Sequence, residues 1–251
     1  MIRRALLFDS TICIGCEACV GACKEANRLP AAVDKQLTAR TWTVVEQREG
    51  AFVRRLCMHC ESPTCASVCP VGAFQKDPAG PVRYAADRCI GCRYCIMACP
   101  FNVPKYQWER VIPFVQKCTL CADRVAAGGV TACAEACPTG ATRFGERPAL
   151  IREAQGRIAA EPAKYPGGLY GVEEVGGTDV LLLAAVPFQR LGIRPARREP
   201  LPLLTWRVLS RVPDFGLVAG TLLYGISWIT HRRIKLEAER AREAEAGPPE
   251  A

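Results

Sequence analysis

The chain has 251 residues, a formal net charge of +8 and 16 cysteines. This length accommodates one large or two small domains and excludes a small secreted disulfide scaffold. The positive balance taken alone points to a nucleic-acid partner, but the distribution of the cysteines removes that reading.

In chain order, the first stretch, Met-Ile-Arg-Arg-Ala-Leu-Leu-Phe, looks like a twin-arginine signal, but neither an apolar h-region nor a cleavage site follows before Cys13. Residues 5–12 are expected to form a first strand, and export, if it occurs, to depend on a partner carrying the signal or on a leader outside this sequence. Cys13, Cys16, Cys19 and Cys23 come next, then a helix end and loop over residues 24–40. Residues 42–46 and 52–56 predict two strands with Glu49-Gly50 at the turn. Cys57, Cys60, Cys65 and Cys69 form a second group, followed by Pro70. His59, between two of these cysteines, is expected to donate a hydrogen bond to a sulfur or the backbone rather than bind iron. Residues 71–84 predict a turn-rich hairpin. Cys89, Cys92, Cys95 and Cys99 then precede Pro100, which disfavours helix at Cys99, and Gly91 gives the loop conformational freedom. Phe101, Tyr106, Trp108 and Phe114 mark a connection expected to pack between two modules and keep out water. Cys118, Cys121, Cys133 and Cys137, followed by Pro138, complete the set. Helices are expected over residues 122–127, ended by Gly128-Gly129, and over residues 148–160, with Pro148 at the start.

The third group has the C-x2-C-x2-C-x3-C-P spacing of bacterial [4Fe–4S] sites. The first group repeats it without the proline, the second widens its middle gap by two residues, and the fourth carries an eleven-residue insert. Structural zinc prefers two separated CxxC pairs, and no group has the CxxxCxxC order of radical enzymes. Four groups of four predict four [4Fe–4S] clusters, with all 16 cysteines as ligands. Metal sites of this kind couple to folding. Sixteen thiolates and four cores of roughly +2 each bring the net charge near zero, so the Lys/Arg excess offsets cluster charge and no nucleic acid is expected. Cys69-Pro70-Val71-Gly72-Ala73 echoes Cys137-Pro138-Thr139-Gly140-Ala141, and the Cys-Ile-Gly-Cys of residues 13–16 recurs at residues 89–92. The expected class is α+β, with the small ferredoxin-like fold used twice.

Beyond residue 162 the composition changes. Residues 165–170 predict a loop, residues 176–187 a buried strand with a turn on each side, and residues 194–202 a Pro/Arg linker. Residues 215–230 are an uncharged run of 16, about 24 Å as helix. Trp206 and Trp228 suit a membrane interface, and Arg207, Arg211, Arg232 and Arg233 can snorkel from it. Gly216 and Gly220 form a small-xxx-small face. A single transmembrane helix is expected within residues 212–231, then a charged helix over 235–246 and a frayed tail. The expected division is a four-cluster domain (1–161), an extension and linker (162–206), an anchor (207–233) and a polar end (234–251).

Four groups in this order, with Cys57-Met58-His59-Cys60, Gly91-Cys92-Arg93-Tyr94-Cys95, Cys99-Pro100-Phe101-Asn102-Val103-Pro104-Lys105 and Cys118-Thr119-Leu120-Cys121, resemble the four-cluster electron-transfer subunits of membrane-bound respiratory oxidoreductases. Leu169-Tyr170-Gly171, Val175-Gly176-Gly177-Thr178 and the run from Val186 to Gly192, followed by one span, are similar to the iron–sulfur subunits of hydrogenase-2-type [NiFe]-hydrogenases and formate dehydrogenases. The resemblance implies that the first and fourth groups make one module and the second and third the other. It implies ligand sets of Cys13, Cys16, Cys19 and Cys137; Cys118, Cys121, Cys133 and Cys23; Cys57, Cys60, Cys65 and Cys99; and Cys89, Cys92, Cys95 and Cys69. It further implies a catalytic oxidoreductase partner, an integral membrane quinone-reactive partner, contact with the bilayer through residues 212–231, and a bacterial inner-membrane location with the clusters on the periplasmic side. The alternative is a free-standing polyferredoxin. No nucleophile–base pair, nucleotide loop or open metal site is evident, so no catalytic residue is expected, and two histidines, His59 and His231, argue against a bis-histidine haem.

Overall fold

The computed structural model describes residues 2–32, 34–193 and 196–246. The chain divides into a compact unit, residues 1–202, and a helical unit, residues 203–251.

In the compact unit, β1 (Arg4–Asp9) enters the first cysteine loop, which leads to α1 (Ala18–Ala26) and the hairpin β2 (Val44–Arg48) and β3 (Ala51–Arg55). The second loop carries α2 (Thr64–Ser67) and the hairpin β4 (Phe74–Lys76) and β5 (Val82–Tyr84). The third carries α3 (Tyr94–Ala98) and the hairpin β6 (Lys105–Tyr106) and β7 (Val115–Gln116). The fourth runs through α4 (Ala122–Ala126) and α5 (Ala132–Glu135) into β8 (Thr142–Glu146), α6 (Arg147–Ala160), β9 (Leu169–Tyr170) and β10 (Val180–Leu183).

The expected strands, hairpins and helices are present, with shifted ends. β1 stops at Asp9 rather than residue 12 because the Asp9 carboxylate accepts the Thr11 N–H at 2.9 Å and its hydroxyl at 2.6 Å, turning the chain. Glu49 and Gly50, both at positive φ (50° and 73°), close β2–β3 as a two-residue hairpin turn requires.

The largest sheet has the order β8-β1-β10-β9. β8 pairs antiparallel with β1, and β10 pairs with its other edge in parallel, Leu6 opposite Val180. Buried on both faces, Val180–Leu183 is continuously apolar, as a central parallel strand should be. Side chains alternate across the sheet. Leu6, Phe8, Val180 and Leu182 join the core that holds most cysteine loops. Ala5, Leu7, Leu181 and Leu183 meet Leu150 and Ala154 of α6. Arg157 of α6 donates to the Asp9 carboxylate at 2.7 Å, fixing the helix over β1.

The turn before β10 ties distant segments together. Asp179 is fully buried. Its carboxylate accepts from Arg3 Nε and Lys76 Nζ, each at 2.5 Å, with Arg147 Nε at 3.6 Å. Its N–H donates to the Met58 and His59 carbonyls. Asp179→Asn leaves three cations around a neutral amide, so it should cost about 3–5 kcal/mol, read as a lower thermal unfolding midpoint by circular dichroism. A midpoint equal to the parent's would mean that solvent, not Asp179, compensates those cations.

The helical unit holds most of α7 (Leu201–Leu209) and all of α8 (Val212–Ala246). One stretch, Leu201–Arg242, is long and apolar enough to cross a membrane, with mean hydropathy 1.3 in its best 18-residue window and none of that window buried. Pro213 sits in the first turn of α8, where its missing N–H costs nothing. The separate charged helix expected from residue 235 is instead the continuation of α8, because no Gly or Pro interrupts residues 226–246. Thr221 and Thr230 return their hydroxyls to the Leu217 and Ile226 carbonyls, at 2.9 and 2.8 Å, which hides both polar groups in an apolar run. The expected tail, residues 247–251, and Arg194 and Pro195 of the expected linker lie outside the described residues.

Candidate iron–sulfur sites

The first CxxC of each group turns through a left-handed third residue: Gly15, His59, Gly91 and Leu120 have φ of 70°, 48°, 72° and 55°. Such turns aim successive N–H groups to one side, a nest for an anionic ligand. Glycine adopts this conformation freely and histidine tolerates it, whereas Leu120 stores strain of about 1–3 kcal/mol. Left-handed Glu17, Arg93 and Cys121 then start α1, α3 and α4 with no side-chain cap. Hairpin aromatics close over two of the loops. A Cβ on Gly15 would stand 2.4 Å from the Phe52 ring, and one on Gly91 2.7 Å from the Tyr106 hydroxyl.

The repeated Cys-Pro-x-Gly-Ala segments also have a physical reason. Gly72 and Gly140 donate to the Cys69 and Cys137 carbonyls at 3.2 and 3.3 Å, both at positive φ. The chain then returns an N–H to each sulfur, from Ala73 to Cys69 Sγ at 3.2 Å and from Thr142 to Cys137 Sγ at 3.3 Å. Asn102, φ 50°, takes the glycine's place after Cys99-Pro100.

Two expectations change here. His59 is fully buried, but its Nδ1 accepts the Val82 N–H at 2.9 Å rather than donating. Burial, helped by Lys117 and Lys76, holds the imidazole well below its ordinary pKa, so it is neutral with the proton on Nε2. The aromatic connection divides. Phe101 and Tyr106 pack on the cysteine cores, while Trp108 is 69% exposed. The strands β6 and β7 are two residues each, so the loop between them projects outward, with Trp108 edge-on to Tyr106 at 4.9 Å and near the Arg93 guanidinium.

The fold gathers cysteines across the sequence groups. One cavity is lined by Cys13, Cys16, Cys19 and Cys137 and by no other cysteine. After burial, the strongest thiolate influences on Cys23 are Cys133 and Cys121. On Cys60 they are Cys57, Cys99 and Cys65, and on Cys95 they are Cys89, Cys92 and Cys69. The donor set therefore suits polynuclear iron: sulfurs from different sequence groups stand near one another, with N–H groups aimed at several of them. Among the described residues, no three His, Cys, Asp or Glu close on a point suited to a single metal ion. Burial pushes the Cys23 and Cys65 thiols up to about 12 and Cys95 to about 11, so these sulfurs ionise at neutral pH only against positive iron. Cys137 is the exception. Burial opposes its ionisation, but the N–H groups of Thr142, Thr139 and Ala141 and the Thr139 hydroxyl hold it below the usual thiol range.

Three buried cations not among the expected site residues stand among these sulfurs: Lys24, Arg54 and Lys117, each 3–4% exposed. Lys24 follows Cys23 and donates to the Pro30 and Arg40 carbonyls and the Thr41 hydroxyl, each at 2.9 Å. Lys117 precedes Cys118 and donates to the Val82 and Cys118 carbonyls. Adjacency to a ligand cysteine is a visible signal for both lysines; Arg54 offers none, since it stands beside Arg55 in a hairpin that reads as half-solvated.

Comparison with known proteins agrees with this chemistry. The 4Fe-4S dicluster domain is matched twice, over residues 12–73 and 48–147. The chain is 42% identical to a protein of Nitratidesulfovibrio vulgaris, over 95% of this chain and 70% of that one. It is 38% identical to the hydrogenase-2 operon protein HybA of Escherichia coli O157:H7, over 75% of this chain and 72% of HybA. It is 40% identical to the iron–sulfur subunit of the nitrate-inducible formate dehydrogenase of Escherichia coli K12, over 70% of this chain and 66% of the subunit.

Proposed function

The chain belongs to the family of 4Fe-4S dicluster proteins that includes HybA and the formate dehydrogenase iron–sulfur subunits, and on that footing we propose that it is the electron-relay subunit of a membrane-bound oxidoreductase. It stands between a catalytic subunit of hydrogenase or formate dehydrogenase type and an integral membrane quinone-reactive subunit. Four [4Fe–4S] clusters are held by Cys13, Cys16, Cys19 and Cys137; by Cys118, Cys121, Cys133 and Cys23; by Cys57, Cys60, Cys65 and Cys99; and by Cys89, Cys92, Cys95 and Cys69. Each cluster, when bound, supplies a one-electron couple.

The observation that carries the relay reading is the serial arrangement of the sulfurs. Cys19 feels Cys133, Cys118 feels Cys57, and Cys65 feels Cys95. Each influence joins two different ligand sets, which orders the four sets in series. Cys16 and Cys92, in the two terminal sets, are exposed, while no cysteine of the inner sets is. A line with accessible ends and a dry middle suits passage between two partners.

The helical unit supports an anchor in the bacterial inner membrane. Arg197, Arg198, Arg207 and Arg211 precede the apolar run and Arg232, Arg233, Lys235, Arg240 and Arg242 follow it, a margin of one that weakly favours a cytoplasmic C-terminus and a compact unit on the periplasmic side. Anaerobic analysis of the full chain should find about 16 iron and 16 sulfide. Half that content in folded protein, or stoichiometric zinc, would sink the four-cluster reading.

A further inference from the structure

Arg54 lies on β3, 3% exposed. Its hairpin neighbours Arg48 and Arg55 pair with Glu46, but among the described residues Arg54 forms no ion pair with a carboxylate. Its Nε donates to the Thr43 hydroxyl at 2.9 Å and its Nη1 to the Thr142 hydroxyl at 3.2 Å. Both threonines are buried. Thr142 in turn donates its backbone N–H to Cys137 Sγ at 3.3 Å. A guanidinium buried against neutral hydroxyls alone is costly, so its counter-charge must come from the remaining groups around it, and these are sulfurs.

Burial works against the Arg54 charge, but Cys133, Cys19 and Cys118 more than offset it. The same charge lies close enough to act on Cys13, Cys19, Cys23 and Cys121. All of these cysteines belong to the first and fourth sequence groups. In the second group lysines take this part, Lys76 toward Cys60 and Lys117 toward Cys65.

Resting on the ligand sets given above, we propose that Arg54 is a shared counter-charge for two adjacent clusters, those of Cys13, Cys16, Cys19 and Cys137 and of Cys118, Cys121, Cys133 and Cys23, and that it raises the reduction potential of both. The physical reason is simple. Each reduction adds a negative charge beside a fixed positive one in a medium that screens poorly. Arginine does not deprotonate in proteins, so the effect persists across pH.

The test is an EPR-monitored redox titration of the full-length chain as wild type, Arg54→Met and Arg54→Lys, with iron counted in each. In Arg54→Met, two of the four midpoints should fall, each by a shift on the order of tenfold in its reduction equilibrium, about 59 mV for one electron, while the other two hold. Arg54→Lys, which keeps the charge, should return both toward wild type. Full iron with four unchanged midpoints in Arg54→Met overturns the proposal, as does an equal fall of all four. If Arg54→Met loses iron, the lysine variant decides: retained iron with near-wild-type midpoints supports the counter-charge, and loss equal to the methionine variant's overturns it. A wrong cluster assignment shows separately, as a wild-type chain with iron well short of four clusters.

Discussion

Cys99→Ser should abolish the signal of one cluster and leave that of the cluster held by the rest of its own sequence group. Cys99 lies among Cys57, Cys60 and Cys65: Cys57 raises it, and Cys60 and Cys65 are both raised by it. Cys95, four residues away, feels Cys89, Cys92 and Cys69 instead. Serine at this position leaves a hydroxyl where the iron needs a thiolate, so iron should fall by about one quarter, to about 12 per chain. Identity can be read by comparison. The EPR spectrum of reduced Cys99→Ser should match that of Cys57→Ser and differ from that of Cys89→Ser. The reverse match would overturn the exchange of fourth ligands and, with it, the serial order of the sites.

Truncation after Arg211 should separate electron relay from membrane attachment. It removes α8 and leaves the compact unit whole, since residues 1–202 hold every cysteine and every strand. The shortened chain should keep its iron and its visible absorbance, leave the membrane fraction, and lose reduction of quinone by the assembled complex. Gly220→Leu should do part of this. Space around Gly216 and Gly220 is open, since a Cβ on either would meet nothing within 4 Å. Lipid gives no hydrophobic drive for helix pairing, so close backbone approach at small residues matters. A truncated chain that still fractionates with membranes and still delivers electrons to quinone would rule out the anchor.

The features legible in the sequence are local ones. Ligand spacing is a property of a few consecutive residues, so the four cysteine loops and their chemistry can be read directly. The hairpins over residues 44–55 and 74–84 are legible too, because alternation and turn residues act over short distances. The uncharged run of residues 215–230 likewise announces an apolar helix.

Only the tertiary structure decides where non-local partners fall. Val180–Leu183 reads as a buried strand, but its parallel place beside β1 depends on a chain reversal through α6 that no local pattern encodes. Trp108 reads as packing material, yet the shortness of β6 and β7 puts it in solvent. His59 reads as a donor, but Val82, brought in by another hairpin, supplies the proton its Nδ1 accepts. The charges are the least legible of all. Asp179 and Arg54 stand in sequence as ordinary polar residues, and only packing shows that one gathers Arg3, Lys76 and Arg147 while the other has sulfurs for company. Burial turns a common side chain into a strong electrostatic influence, and burial belongs to the whole fold rather than to any short stretch of it.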